Sequence, residues 1–173
     1  ESCDYVETHV QTITRVDTMG PAFTSAPEDI TVECDAVPAV TALEDLLDSG
    51  ELAATDNCEA TDEPVEYSYD GESINATDCD SQYEILRTWI ATDCSGNATS
   101  YTQVITVEDT TAPVFVEALP ADETVECDAV PAAVTLTATD NCDAAVEVMF
   151  EESIADGACP QAYTITRTWT VSD

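Results

Sequence analysis

The decapeptide ITVECDAVPA at Ile30–Ala39 returns as ETVECDAVPA at Glu123–Ala132, 93 positions later. A repeat of this length constrains the fold more than composition does, because each copy must build the same substructure and bury the same positions. ATDNC at Ala54–Cys58 recurs at Ala138–Cys142, and RTWIATD at Arg87–Asp93 recurs as RTWTVSD at Arg167–Asp173. ITRVDTMGPAF at Ile13–Phe23 is echoed by ITVEDTTAPVF at Ile105–Phe115. One complete repeat therefore spans 20–112, and a second spans 113–173 without its last strand. Residues 1–19 read as the last strand of a preceding or neighbouring-copy repeat, because ESCDYVETHVQTITRVD (Glu1–Asp17) parallels DCSGNATSYTQVITVED (Asp93–Asp109). Read tail to head, Asp173 followed by Glu1 continues the pattern. The expected molecule is one period of a polymer whose second repeat is completed by Thr8–Asp17, either of the next copy or by covalent continuity.

Within each repeat short segments alternate with period two, the mark of half-buried strands. Ile30, Val32 and Cys34 share one face, as do Val134, Leu136 and Ala138. The long segments YEILRTWIATD and YTITRTWTVSD place Trp89 and Trp169 at matching positions, and SYTQVITVED closes the repeat. Prolines 38, 64, 113, 120 and 131 fall between segments, where a missing amide donor does least harm. The fold class is all-β, a small sandwich per repeat. Cys34 and Cys58 are 24 positions apart and Cys127 and Cys142 only 15, so the first repeat carries nine extra residues. These include TALEDLL (Thr41–Leu47) and Gly50, which predict a short helix with a Thr41–Glu44 capping box and Leu43, Leu46 and Leu47 packed inward.

The chain has 173 residues, with 37 acids against three arginines and no lysine, a formal net charge of −34. Such a surface repels nucleic acid and attracts cations. Eight cysteines point to an oxidising, extracellular compartment. No apolar run reaches membrane-spanning length. No signal peptide is present, so a mature or excised segment is expected. Zinc is disfavoured because the nearest cysteines are 15 apart and His9 is the single histidine. Cys79 and Cys94 flank a strand too long for a bridge to span. Alternating strand directions instead pair Cys34 with Cys79 and Cys58 with Cys94, and by repetition Cys127 with Cys159. Cys142 is left for Cys3 of the next copy.

ITVECD, ATDNC, RTWIATDCSGN and VEDTTAPVF resemble hyalin-type repeats, and more closely the cysteine-containing immunoglobulin-like repeats of large Bacteroidota surface adhesins, including gliding adhesins secreted by the type IX route. The resemblance covers nearly the whole chain. It implies tandem immunoglobulin-like sandwiches, a cell-surface or secreted location, and a role in cell adhesion or in building a stalk or filament. The chain departs from the pattern in its helical insertion and in ESCDYV, which stands where DCSGN is expected.

Calcium is the expected cofactor, since it takes six to eight oxygens from carboxylates, amides and carbonyls. Asp56, Asn57, Asp93, Asn97, Glu108 and Asp109 gather near one end of the first repeat and its linker, and Asp140, Asn141, Asp173 and Asp17 repeat the set. The competing role for these residues is turn formation through their own backbone. Asn75 and Asn97 fit the N-glycosylation sequon. Thr18 and Thr110 sit in DTM and DTT, similar to a Bacteroidota O-glycosylation motif. Arg87 and Arg167 are expected to pair with carboxylates, Glu33 and Glu126 being the named partners. No catalytic constellation stands out around His9 and no phosphate loop is present, so the expected function is structural: a shaft of repeats partnered by copies of itself. A glycan- or protein-binding module is the alternative, with Tyr67, Tyr69 and Tyr101 as its aromatic candidates. An enzyme is a distant third.

Overall fold

The computed structural model describes residues 6–58, 64–77, 81–159 and 161–172. Among them strands predominate: β1 (Ala22–Ser25), β2 (Ile30–Glu33), β3 (Ala53–Thr55), β4 (Glu66–Ala76), β5 (Tyr83–Thr92), β6 (Ala98–Glu108), β7 (Val114–Phe115), β8 (Ala138–Thr139), β9 (Val148–Asp156) and β10 (Tyr163–Val171). The one α-helix among the described residues is α1 (Leu43–Ser49). The all-β reading holds at this level. β2, β6, β5 and β4 form a four-stranded sheet in that order, while β1–β3, β7–β8 and β9–β10 form two-stranded pairs.

The alternation in the sequence becomes alternation of burial. In β5 the inward set is Ile85, Arg87, Trp89 and Ala91, and in β6 it is Gln103, Ile105 and Val107. The chain divides into two compact units. The first comprises Glu1–Glu28, Val40–Glu72 and Arg87–Gln103. Its core is Leu46, Leu52 and Trp89, with Phe23, Ala26, Leu43, Tyr67, Tyr69 and Tyr101 packed on it. The second comprises Asp29–Ala39, Ser73–Leu86 and Val104–Asp173, with Ile85, Ile105 and Val107 packed among Val32, Cys34, Val37 and Tyr83.

The repeated words fold alike in several places. β1 meets β3 with Ala22 opposite Thr55 and Phe23 opposite Ala54; β7 meets β8 with Val114 opposite Thr139 and Phe115 opposite Ala138. Arg87 Nε lies 2.8 Å from Glu72 Oε2, and Arg167 Nε lies 2.8 Å from Glu152 Oε2. The carboxylate partners are thus Glu72 and Glu152, not Glu33 and Glu126. The arginine reaches a strand neighbour: Arg167 stands directly opposite Glu152 in the β9–β10 ladder, while Glu33 is engaged by Thr110. Tyr69 packs on Trp89 with ring centres 5.7 Å apart, and Phe150 on Trp169 at 5.2 Å. Between these matched contacts β4 has one residue more than β9. Gly71 falls in that stretch with φ at 121°, a conformation open to glycine.

The helix forms where the insertion lies, with two changes from expectation. It begins at Leu43 behind Ala42, whose side chain offers no cap, so the Thr41–Glu44 box does not form. Glu44 and Asp45 in the first turn favour the positive end of the helix dipole, and Gly50 closes the helix at φ 76° with its N–H on the Leu47 carbonyl. Leu46 is buried and Leu43 half-buried against the core, but Leu47 is 36% exposed, because a two-turn helix presents only a narrow apolar stripe.

The insertion also alters Trp89. In the second repeat Trp169 donates its indole N–H to the Val134 carbonyl at 3.2 Å. In the first repeat α1 interrupts the corresponding segment, and Trp89 Nε1 is buried without a hydrogen-bond partner.

TVECDAVPA itself has two conformations. After Ile30, the strand Thr31–Glu33 runs parallel to β6, with Ile30 opposite Ile105 and Glu33 opposite Glu108. The same residues at 124–126 form no strand, and Val125 is 41% exposed. The second repeat has no described strand equivalent to β6 beside β10. Local propensity is the same in both, so the partner strand decides.

Candidate functional site

Sequence and structure converge on the linker acids and the ATDNC turns. Asp56 Oδ1 accepts from Cys58 N at 2.7 Å, and Asp140 Oδ1 accepts from Cys142 N at the same distance. Asn57 Nδ2 donates to Cys58 Sγ at 3.3 Å, and Asn141 Nδ2 to Cys142 Sγ at 3.2 Å. The linkers match as well: Met19 N donates to Asp17 Oδ1, and Thr111 N to Asp109 Oδ1, both at 3.2 Å. Asparagine and aspartate are chosen here because their short side chains hold the backbone turn two residues on.

These two constructions bring linker acid and cysteine together. Asp17, Asp56 and Cys58 place potential ligand atoms within 4.8 Å of one another; Glu33 and Asp109 lie as close to each other and to Cys142, whose sulfur is taken up in a disulfide with Cys34. Of the ten residues assigned to metal, Asp17, Asp56 and Asp109 enter these groups. Glu33 was not among them; its place at the end of β2, beside the parallel strand that leads into the linker, is the signal that marks it. Asn57, Asn141 and Asp140 serve the turns, and Glu108 ends β6. Asp173 lies outside the described residues.

Asp93 closes the β5–β6 turn. It accepts from Asn97 N and Asn97 Nδ2, both at 2.8 Å. Burial opposes its charge, but donors from Asn97, Ser95 and Gly96 outweigh that and hold the carboxyl below its ordinary 3.8. A depressed carboxylate stabilises the fold above its unfolded pKa and loses that contribution as pH falls through the folded value. Asp93→Ala is therefore expected to lower the melting temperature at neutral pH. The gap from the parent should close as pH falls below 3.8, measured by thermal melts across an acid series.

The disulfide pattern corrects the expected one. Cys34 is bonded to Cys142, with Cα atoms 5.7 Å apart and 108 positions between them in sequence. The Cys34–Cys79 pairing and the bridge from Cys142 to Cys3 of another copy are thereby displaced; Cys79 and Cys3 lie outside the described residues. β2 runs parallel to β6, so Cys34 comes to the linker end of β6 and the bond runs between repeats rather than within one. β2 ends beside the end of β6, where the chain enters the next repeat, and that repeat's ATDNC turn lies at hand: the Asn141 carbonyl is 3.7 Å from Cys34 Sγ. Cys58 is a free thiol turned toward Asp17 and Asp56, so the Cys58–Cys94 bridge is not formed. Cys127 and Cys159 are free as well, because Cys127 follows the segment 123–126, which has no strand to hold it in place.

The modification candidates differ in access. Asn75 is exposed on β4 and donates to Glu84 at 2.9 Å, whereas Asn97 is half-buried and tied to Asp93. Thr18 is exposed; the Thr110 hydroxyl donates to Glu33. Tyr67, Tyr69 and Tyr101 pack in the first core rather than forming an exposed aromatic cluster. An open groove of about 320 Å³ on the β9–β10 hairpin is lined by Glu151, Glu152, Ser153, Thr166 and Thr168. No helix among the described residues is long and apolar enough to cross a membrane.

No protein-family model matches the chain, and no curated protein matches it. The repeat geometry is therefore what any functional reading must rest on.

Proposed function

We propose that the chain is an extracellular structural repeat that builds a stalk, filament or adhesin shaft by head-to-tail joining of immunoglobulin-like units. The units are those of the hyalin-type resemblance: 20–112, and 113–173 completed by a last strand like that of 1–19, supplied by another copy or by covalent continuity. One observation carries the reading. TVEC is a strand where β6 lies beside it and is not one at 124–126, while residues 6–19, the sequence counterpart of β6 and its linker, form no strand and are largely exposed. Val6, Val10, Ile13 and Val16 are 84, 78, 80 and 72% exposed, an apolar cost that strand pairing would relieve. Added in trans, Thr8–Val16 restores the order of the four-stranded sheet, with 123–126 on one side and β10 on the other. Gln11 and Ile13 then take the places of Gln103 and Ile105; Arg15 departs from the pattern at the place of Val107.

Ile13→Pro tests this, because Ile13 makes no core contact within its own chain yet would sit inside the new ladder. The parent should sediment as concentration-dependent oligomers under reducing conditions and the variant as a monomer. A parent that stays monomeric at high concentration overturns strand addition between copies.

Calcium at the joints belongs to the same reading, supported by Asp17 with Asp56 and Glu33 with Asp109. Chelation is expected to lower the melting temperature and millimolar calcium to raise it. At 100 times the dissociation constant the gain is about 2.7 kcal/mol. A melt indifferent to both leaves these acids as turn residues.

A further inference from the structure

The free thiols are not scattered at random over the repeat. Cys34 of the first repeat corresponds to Cys127 of the second, and Cys142 of the second corresponds to Cys58 of the first. Shifting the Cys34–Cys142 bridge by one repeat therefore names Cys127 and Cys58, and both are free in this chain. We propose that Cys127 of one copy and Cys58 of the next form a disulfide across the head-to-tail joint. This rests on the assembly reading above and gives the joint a covalent lock.

The half of the joint that contains Cys58 is already built. Around Cys142 the bridge sits with Asp109 and Glu33, and the turn is held by Asp140 and Asn141. Around Cys58 the linker acid Asp17 is in the same place, and Asp56 and Asn57 hold the same turn at matching distances. Arg15 adds a tie from its guanidinium to the Cys58 carbonyl at 3.3 Å. What the first construction has in addition is Glu33 and Cys34 at the end of β2. Their counterparts, Glu126 and Cys127, follow the segment that lacks a partner strand. When Ile13–Val16 of the next copy pairs with 123–126 in the β2–β6 register, Glu126 falls opposite Val16, as Glu33 is opposite Glu108. That register brings Cys127 to the Asp17 linker and to Cys58, as Cys34 is brought to the Asp109 linker and to Cys142. Cys127 is exposed and Cys58 half-buried, so exchange can reach both before docking is complete.

The chemistry is thiol–disulfide exchange. The Cys127 thiolate attacks one sulfur of a small-molecule disulfide such as oxidised glutathione and expels one thiol. The Cys58 thiolate then attacks the mixed disulfide at Cys127 and expels the second. The two protein thiols lose two protons and two electrons, and the small disulfide gains them as two thiols.

The test uses the full chain in a glutathione redox buffer, followed by non-reducing electrophoresis and peptide mapping. The parent should give a ladder of multimers that reducing agent collapses, with Cys127 joined to Cys58 in the multimer bands. Cys127→Ser and Cys58→Ser should each remain monomeric on the gel. Mixed together, they should give a dimer and no higher band, because one variant retains Cys58 and the other Cys127. Circular dichroism of each variant confirms that it folds. Multimers linked through other cysteines, or a monomer with Cys58 and Cys127 joined internally, would overturn the proposal. If sedimentation in reducing agent shows oligomers but no ladder forms on oxidation, the lock falls and the assembly stands. If neither appears, both fall.

Discussion

Replacing Trp89 with alanine is expected to destabilise the chain by about 3–5 kcal/mol, the range for truncating a large buried aromatic. Trp89 is 2% exposed and touches the other two members of its core, Leu46 and Leu52, and the rings of Tyr69 and Tyr101. The change would leave a cavity under α1 and remove ring contacts on both sides. Trp169→Ala should cost less, because Trp169 is only half-buried. A second comparison separates packing from hydrogen bonding. Trp89→Phe loses no hydrogen bond, since its indole N–H has no partner, whereas Trp169→Phe gives up the bond to Val134. Urea melts of the four variants provide the check. An alanine variant at position 89 as stable as the parent would remove this tryptophan from the centre of the fold.

Removing the Cys34–Cys142 bridge is expected to cost a comparable amount. The two cysteines close a loop of 108 positions, and loops of that order restrict the unfolded chain by about 4–5 kcal/mol. The double variant Cys34→Ser/Cys142→Ser is the right form, because a single substitution leaves a thiol free to exchange with Cys58, Cys127 or Cys159. Denaturant unfolding of parent and double variant should show the midpoint fall. Equal midpoints would show that the bridge does not restrain the unfolded state.

Much of the fold was legible in the residues themselves. β5 and β6 are long alternating segments, and burial alternates along them over ten and eleven residues, although Arg87 joins the buried set and Leu86 and Ile90 lie outside it. The helix was legible from its leucines and Gly50, though its start was not. Thr41 has the right chemistry for a cap, but the chain enters the helix one residue too late for its hydroxyl to reach the first turn. The partners of Arg87 and Arg167 lie on the neighbouring strands β4 and β9 rather than at Glu33 and Glu126, because strand order in the sheet is not written in the spacing of the repeat. The bridge was the least legible feature. Cysteines were matched within a repeat, while the bond runs between repeats, at a place set by where β2 ends beside the linker. The same limit applies at 124–126: a segment identical to a strand elsewhere in the chain stays unpaired, because strand formation here depends on a neighbour rather than on its own residues. The linker acids Asp17 and Asp109 were marked from spacing alone, and both come to lie beside a cysteine of an ATDNC turn.

Every arginine in the chain is already occupied. Arg87 and Arg167 are held by Glu72 and Glu152, and Arg15 reaches the Cys58 carbonyl. With no lysine, a formal net charge of −34 is left with no further cationic side chain to offset it. Two such molecules lying side by side repel like polyelectrolyte brushes, over a range set by dissolved ions: about 8 Å at physiological ionic strength and about 3 Å at 1 M. Sideways crowding is opposed by charge, and the salinity of the surroundings sets how closely neighbouring molecules approach.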